Sequence, residues 1–150
     1  MTDRYRDNGD GTITDSVTGL MWQASYAYAG TGNYCSWYEA GDYIDGLNAE
    51  RLGGYADWRL PDKLELQSLY ELEHRFESRG RSFILHIDPV FEIGYGSCFW
   101  TWRSYFTGAL GFSFDIGEQL WHPKASCSAT VRAVRGEWNS LCLIQGYEEK

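Results

Sequence analysis

The residues best equipped for chemistry lie late in the chain. Trp102, Arg103, Tyr105, Phe106, Trp121, His122 and Lys124 set large amphipathic aromatics beside cations in one short stretch. An aromatic ring with a polar handle, next to a planar guanidinium, suits stacking on a sugar ring or anchoring a protein interface. The window 98–135 holds Arg103, Lys124, Arg132 and Arg135 against Asp115 and Glu118, a net +2 on a chain of net charge −8. It predicts a locally cationic surface facing an anionic ligand. The competing reading is packing, since Trp102 and Trp121 are equally core residues by type and charge drifts by chance over such a window. On the binding reading, Arg103, Tyr105, Phe106, His122 and Lys124 share one partly exposed surface away from the N-terminal hairpin.

No catalytic signature accompanies these residues. Gly-x-Ser-x-Gly, a phosphate loop, a dinucleotide fingerprint and His-Glu-x-x-His do not occur. His74, His86 and His122 are far apart without metal-ligand spacing, so each reads as a surface or locally bonded histidine. The run Asp7-Asn-Gly-Asp-Gly11 has the look of a calcium loop. With Gly11 at the sixth loop position, however, Arg6 falls first and Val17 last, and neither is a suitable ligand. It reads instead as a turn held by Asp and Asn side chains. Cys35, Cys98, Cys127 and Cys142 form no Cys-x-x-Cys, which disfavours a zinc knuckle or a thioredoxin-type site. The expectation is a non-enzyme with no cofactor and no metal.

Composition bounds the rest. The chain has 150 residues, 17% of them aromatic, with 17 glycines. That is enough for one packed domain over 1–150, with its core at about 4–144, and it excludes disorder. The acidic balance disfavours nucleic acid, and no apolar run is long enough to span a membrane.

The elements that must position the late residues follow from periodicity. Turn chemistry at Asn8–Gly11 and Val17–Gly19 separates Thr12–Thr14 from Leu20–Trp22, a small N-terminal hairpin. Trp37, Ala40, Ile44 and Leu47 mark one face of a helix over 37–50, closed by Gly53-Gly54. Asp62 and Glu65 form a capping-box pattern for a second helix, whose buried side is Leu66, Leu69, Leu72 and Phe76. Trp58 and Leu60 are expected to be buried just before it. Cys98–Trp102 reads as a strand, 103–111 as a loop, and Phe112, Phe114 and Ile116 alternate inward. Leu120–His122 is short, Val131–Arg135 is the last clear strand, and Leu141–Ile144 is a possible edge. The order of hairpin, two helices and small antiparallel sheet with long loops is α+β.

Three segments carry a family resemblance. They are Arg6–Asp15 with Thr18–Gln23, Gly53–Pro61 followed by Glu65, Leu66 and Leu69, and Val131–Gly136. In this order they resemble the Lcl C-terminal domain family, over nearly the whole chain. The resemblance implies a C-type-lectin-like fold, distantly related to the formylglycine-generating enzymes. Its members are mostly binding modules; one is the adhesive end of a collagen-like surface protein that binds sulfated glycosaminoglycans. Other proteins of this fold are variable binders diversified by retroelements. The family commonly carries a cysteine in its first helix and another in its last strand, positions held here by Ile44 and Ala133. With both gone, those two residues are expected to meet in the core, and mostly free thiols and a cytoplasmic setting are expected. Cys98 with Cys127 is the pair least excluded. An export signal removed from the chain would place it outside the cell.

Three functions follow as expectations. The first is a non-catalytic ligand-binding module for a glycan, another anionic ligand or a protein. The second is an assembly subunit using exposed aromatics as its interface. The third, an oxidase of the formylglycine-generating type, needs a reactive cysteine pair that the spacing does not supply.

Overall fold

The computed structural model describes residues 4–27, 33–78, 83–94 and 96–137. Strands β1 (Tyr5–Asp7), β2 (Thr12–Asp15) and β3 (Met21–Gln23) form an antiparallel meander at the N-terminus. Among the described residues the last strand, β9 (Val134–Arg135), returns to pair with β3, so their first and last elements share one sheet. The β1–β2 turn is held as its residue types dictate. Asp7 accepts from the Gly9 N–H and Asp10 from the Thr12 N–H and hydroxyl, while the Asn8 amide donates to Thr12 and Thr14. These side chains are committed to the turn itself.

Helix α1 (Trp37–Glu50) opens on a capping box between Ser36 and Glu39 and buries Ala40, Ile44 and Leu47. A short 3-10 turn (Leu52–Gly54) follows. Gly53 has φ of 64°, and a Cβ there would lie 2.7 Å from Thr12 Cγ2, so only glycine lets this turn rest on the hairpin. Trp58 is buried. Its N–H donates to Asn48 Oδ1 at 2.7 Å, its carbonyl accepts from Asn48 Nδ2 at 3.0 Å, and its indole N–H donates to the Leu52 carbonyl at 3.0 Å. Leu60 is only half-buried, because its outer side faces a cleft rather than the core.

Helix α2 (Lys63–Leu69) carries the expected Asp62–Glu65 capping box and buries Leu66 and Leu69. It is shorter than its apolar spacing implied. Tyr70 leaves the helical region at φ −78° and ψ 119° and bridges to Ile87. Leu72 therefore falls in a turn and is 66% exposed. Phe76 enters strand β4 (Phe76–Glu77), paired with β5 (Ile84–Leu85).

Strands β6 (Cys98–Tyr105), β7 (Gly108–Ser113) and β8 (Glu118–Pro123) make a three-stranded antiparallel sheet. The loop expected over 103–111 is thus a β-hairpin. Tyr105 pairs with Gly108 across the two-residue turn Phe106–Thr107. Ile116 is exposed, because β7 ends at Ser113 and the inward alternation ends soon after. Of the strand expected at 131–135, only β9 pairs regularly. Val131 and Ala133 are buried; the Val131 carbonyl accepts from the Ala27 N–H, and Ala133 accepts from the Gln23 N–H and donates to Gln23 Oε1. The edge expected at Leu141–Ile144, and Cys142 with it, lie outside the described residues.

The sheet β6–β7 divides the core. One apolar cluster collects Ile13, Trp22, Leu66, Leu69, Phe99, Phe112 and Phe114. The other collects Ile44, Leu47, Trp58, Cys98, Trp100, Ala109 and Ala133. Ile44 and Ala133 are both members of this second cluster. Cys35, Cys98 and Cys127 are free thiols; no Cys98–Cys127 bridge forms. Among the described residues no helix is long and apolar enough to cross a membrane.

Candidate functional site

β6 is longer than the core beneath it. Its first four residues are buried, whereas Trp102, Ser104 and Tyr105 are exposed and Arg103 is half-buried. The β6–β7 hairpin therefore projects its tip into solvent. Trp102 is 51% exposed, Tyr105 68%, Phe106 79% and Trp121, on neighbouring β8, 58%. Packing thus does not account for Trp102 and Trp121. Phe106 occupies the left-handed region at φ 53°, where a side chain costs about 1–2 kcal/mol relative to glycine. Its ring centroid lies 4.3 Å from that of Tyr105.

A bulge between Trp100 and Ser104 aims Trp102. Thr101 bridges it, donating to the Leu110 carbonyl at 2.9 Å and accepting from the Arg103 N–H at 3.1 Å. The Trp102 N–H then donates to the Pro61 carbonyl at 3.0 Å, tying the strand to the segment before α2. As a result the Trp102 ring separates two clefts. The larger, about 580 Å³, lies toward α1 and is walled by Gly41, Ile44, Asp45, Asn48, Trp58, Arg59 and Leu60. The smaller, about 390 Å³, lies toward the sheet and is walled by Lys63, Arg103, Ser104, Tyr105, Leu110, Gln119 and Trp121.

The expected site residues do not all share this face. Trp121 stands opposite Leu110 and His122 opposite Ala109 in the β7–β8 register, so the two point to opposite sides of the sheet. His122 packs edge-on against Trp100 at 5.8 Å, and its Nε2 lies 3.7 Å from Cys98 Sγ. Lys124 places its ammonium 5.0 Å from the Trp37 ring, at the start of α1. Trp102, Arg103, Tyr105, Phe106 and Trp121 form one patch; His122 and Lys124 lie apart from it.

Nor does the cationic window make a cationic surface. Arg132 is fully buried, donating to the carbonyls of Gln23, Ala24, Ser25 and Glu92 among the rings of Tyr26, Phe91 and Phe99. Burial pulls its guanidinium down to about 10. Arg135 pairs with Asp57 at 2.6 Å. Arg103 pairs with Asp62 at 2.8 Å and lies 5.0 Å from the Trp102 ring centroid. In the larger cleft Arg59 is joined to Glu65 at 2.8 Å. Sequence counting sums charges wherever they point, whereas each of these four guanidiniums is already spent on a carboxylate or on carbonyls.

The Cys98–His122 contact is not an activated nucleophile. Burial raises the Cys98 thiol to about 12, and burial also lowers the His122 imidazole, so both partners are held neutral. Cys35 is likewise raised to about 12 by burial, with Glu39 adding to it.

Residues that sequence reasoning missed are those of the cleft walls, chiefly Gly41, Asp45, Asn48, Lys63 and Gln119. Gly41 interrupts the outer face of α1, and a Cβ there would meet nothing within 4 Å. A glycine inside a helical period was the available signal.

Comparison with known proteins agrees with the motif order. The family model described as the Lcl C-terminal domain matches residues 11–135. No curated protein matches the chain. A match over that much of the sequence shows the family, and the chain belongs to it.

Proposed function

We propose that this member of the Lcl C-terminal domain family is a non-catalytic binding module whose ligand stacks on the exposed aromatic face around Trp102. The carrying observation is the pair of clefts on either side of that ring, bordered by Tyr105 and Trp121. Aromatic residues held out of the core by a projecting hairpin, with Phe106 strained at its tip, are costly unless something covers them. The shared sheet of β1–β3 with β9, followed by two helices and a late sheet, supports the C-type-lectin-like fold the family implies.

The charge arrangement favours a neutral ligand over a polyanion. Arg59 and Arg103 already carry carboxylate partners, and Asp45 in the larger cleft offsets Lys63 in the smaller. A neutral saccharide fits best: its apolar ring face stacks on Trp102, and its hydroxyls meet Asp45, Asn48 and Gln119.

A glycan array probed at low and high salt tests this. Binding to neutral glycans that persists at high salt and is lost in Trp102→Ala supports the reading. Binding confined to sulfated glycans and abolished by salt overturns it, since that is the signature of charge. Self-association through the same face, seen by light scattering and lost in Trp102→Ala, would make the protein an assembly subunit instead.

A further inference from the structure

We propose that Glu71, His74 and Asp88 form a binding site for one divalent transition-metal ion, zinc by preference. One donor atom from each of the three lies within 4.8 Å of the others. His74 Nε2 and Asp88 Oδ2 are 3.7 Å apart. Ligands at about 2.0–2.2 Å from a common ion need only a small closure from this spacing.

The backbone fixes the donors from both sides. Glu71 and His74 belong to one turn, closed by the His74 N–H donating to the Glu71 carbonyl at 3.1 Å. The Glu71 N–H donates to the His86 carbonyl at 3.0 Å, and the His74 carbonyl bonds His86 Nδ1 at 2.8 Å. Asp88 Oδ1 accepts from the Val90 N–H at 2.8 Å, which leaves Oδ2 facing His74. The turn precedes β4 and Asp88 follows β5, so one ion would staple the base of that hairpin.

A second observation points to a ligand. Glu71 Oε1 is buried without a hydrogen-bond partner. A buried carboxylate oxygen is costly if nothing meets it. Arg4, the cation acting on Glu71, is bound through two nitrogens to Asp15 at 2.9 Å each. A metal ion satisfies Glu71 directly. One imidazole with carboxylates suits zinc, whereas calcium and magnesium take all-oxygen sets. The sequence concealed this site because Asp88 arrives from beyond a hairpin.

The test titrates the chelator-treated protein with zinc, calcium and magnesium by calorimetry, and records its cobalt absorption spectrum. One equivalent of zinc is expected, with much weaker calcium and magnesium. The cobalt complex should lack a thiolate charge-transfer band, which excludes uptake at the cysteines. His74→Ala and the isosteric Asp88→Asn and Glu71→Gln should each weaken zinc at least about tenfold. The isosteric pair serves if the alanine variant folds poorly. Cys127→Ser should change nothing. No zinc uptake, a thiolate band, or affinity unchanged in all three ligand variants would overturn the site.

Discussion

Arg59 and Glu65 are joined by two hydrogen bonds, 2.9 and 2.8 Å long, and the same Glu65 carboxylate accepts the Asp62 N–H at 2.8 Å. One buried carboxylate therefore closes the cap of α2 and ties that helix to the segment walling the larger cleft. Arg59 also donates to the Gly136 carbonyl at 3.0 Å and pairs through its backbone with β9. Helix α2, the cleft wall and the terminal strand meet at this residue.

Arg59→Ala leaves Glu65 buried without its counterion and should cost about 3 kcal/mol, the lower end for a broken buried pair because Arg59 itself is partly exposed. Arg59→Lys should recover only part of that, since an ammonium cannot reproduce the two-pronged contact. Chemical denaturation of the three proteins measures both.

Much of this arrangement was legible in the sequence. Asp62 and Glu65 are capping residues by type and spacing, and Trp58 reads as buried. The far end of β6 was not. Arg103 and Ser104 break apolar alternation because a bulge and an exposed overhang need no inward set, so the stretch from Arg103 reads as a loop. Arg132 misled for a related reason. Its charge counts toward a surface in a linear tally, but the fold spends it on four backbone carbonyls. Leu72 followed the helical period of α2, yet the helix stops at Leu69, where Tyr70 bridges to Ile87.

Phe106→Gly should raise stability by about 1 kcal/mol, because glycine removes the side-chain cost of a left-handed residue. The same change should weaken ligand binding by deleting one ring of the face. Thermal melting and a binding isotherm on one preparation would show the two effects moving in opposite directions.

Thiol reactivity should be graded. Cys35 and Cys98 are buried and raised to about 12, whereas Cys127 is exposed. At neutral pH, alkylation followed by peptide mass spectrometry should modify Cys127 well before Cys35 or Cys98. Equal rates would mean that the cluster containing Trp100 opens readily.

His122 should give the fold an acid-sensitive component. Burial holds its imidazole below its ordinary value near 6.5, so the folded state resists protonation more than the unfolded chain does. The stability tied to this group is complete above about 6.5 and lost as pH falls from there through the folded-state value. Melting temperature should drop across that interval, and His122→Gln should flatten the drop.

The most direct test of the proposed binding face follows the seven tryptophan indole N–H signals by NMR during titration with the strongest neutral glycan from the array. The Trp102 and Trp121 signals should shift with ligand, while those of buried Trp22 and Trp100 hold still. Trp102→Ala, which removes a half-exposed ring and so preserves the fold, should abolish the shift at Trp121. Shifts confined to Trp37, beside Lys124 and across the sheet from Trp121, would contradict the account and move the site to the other face.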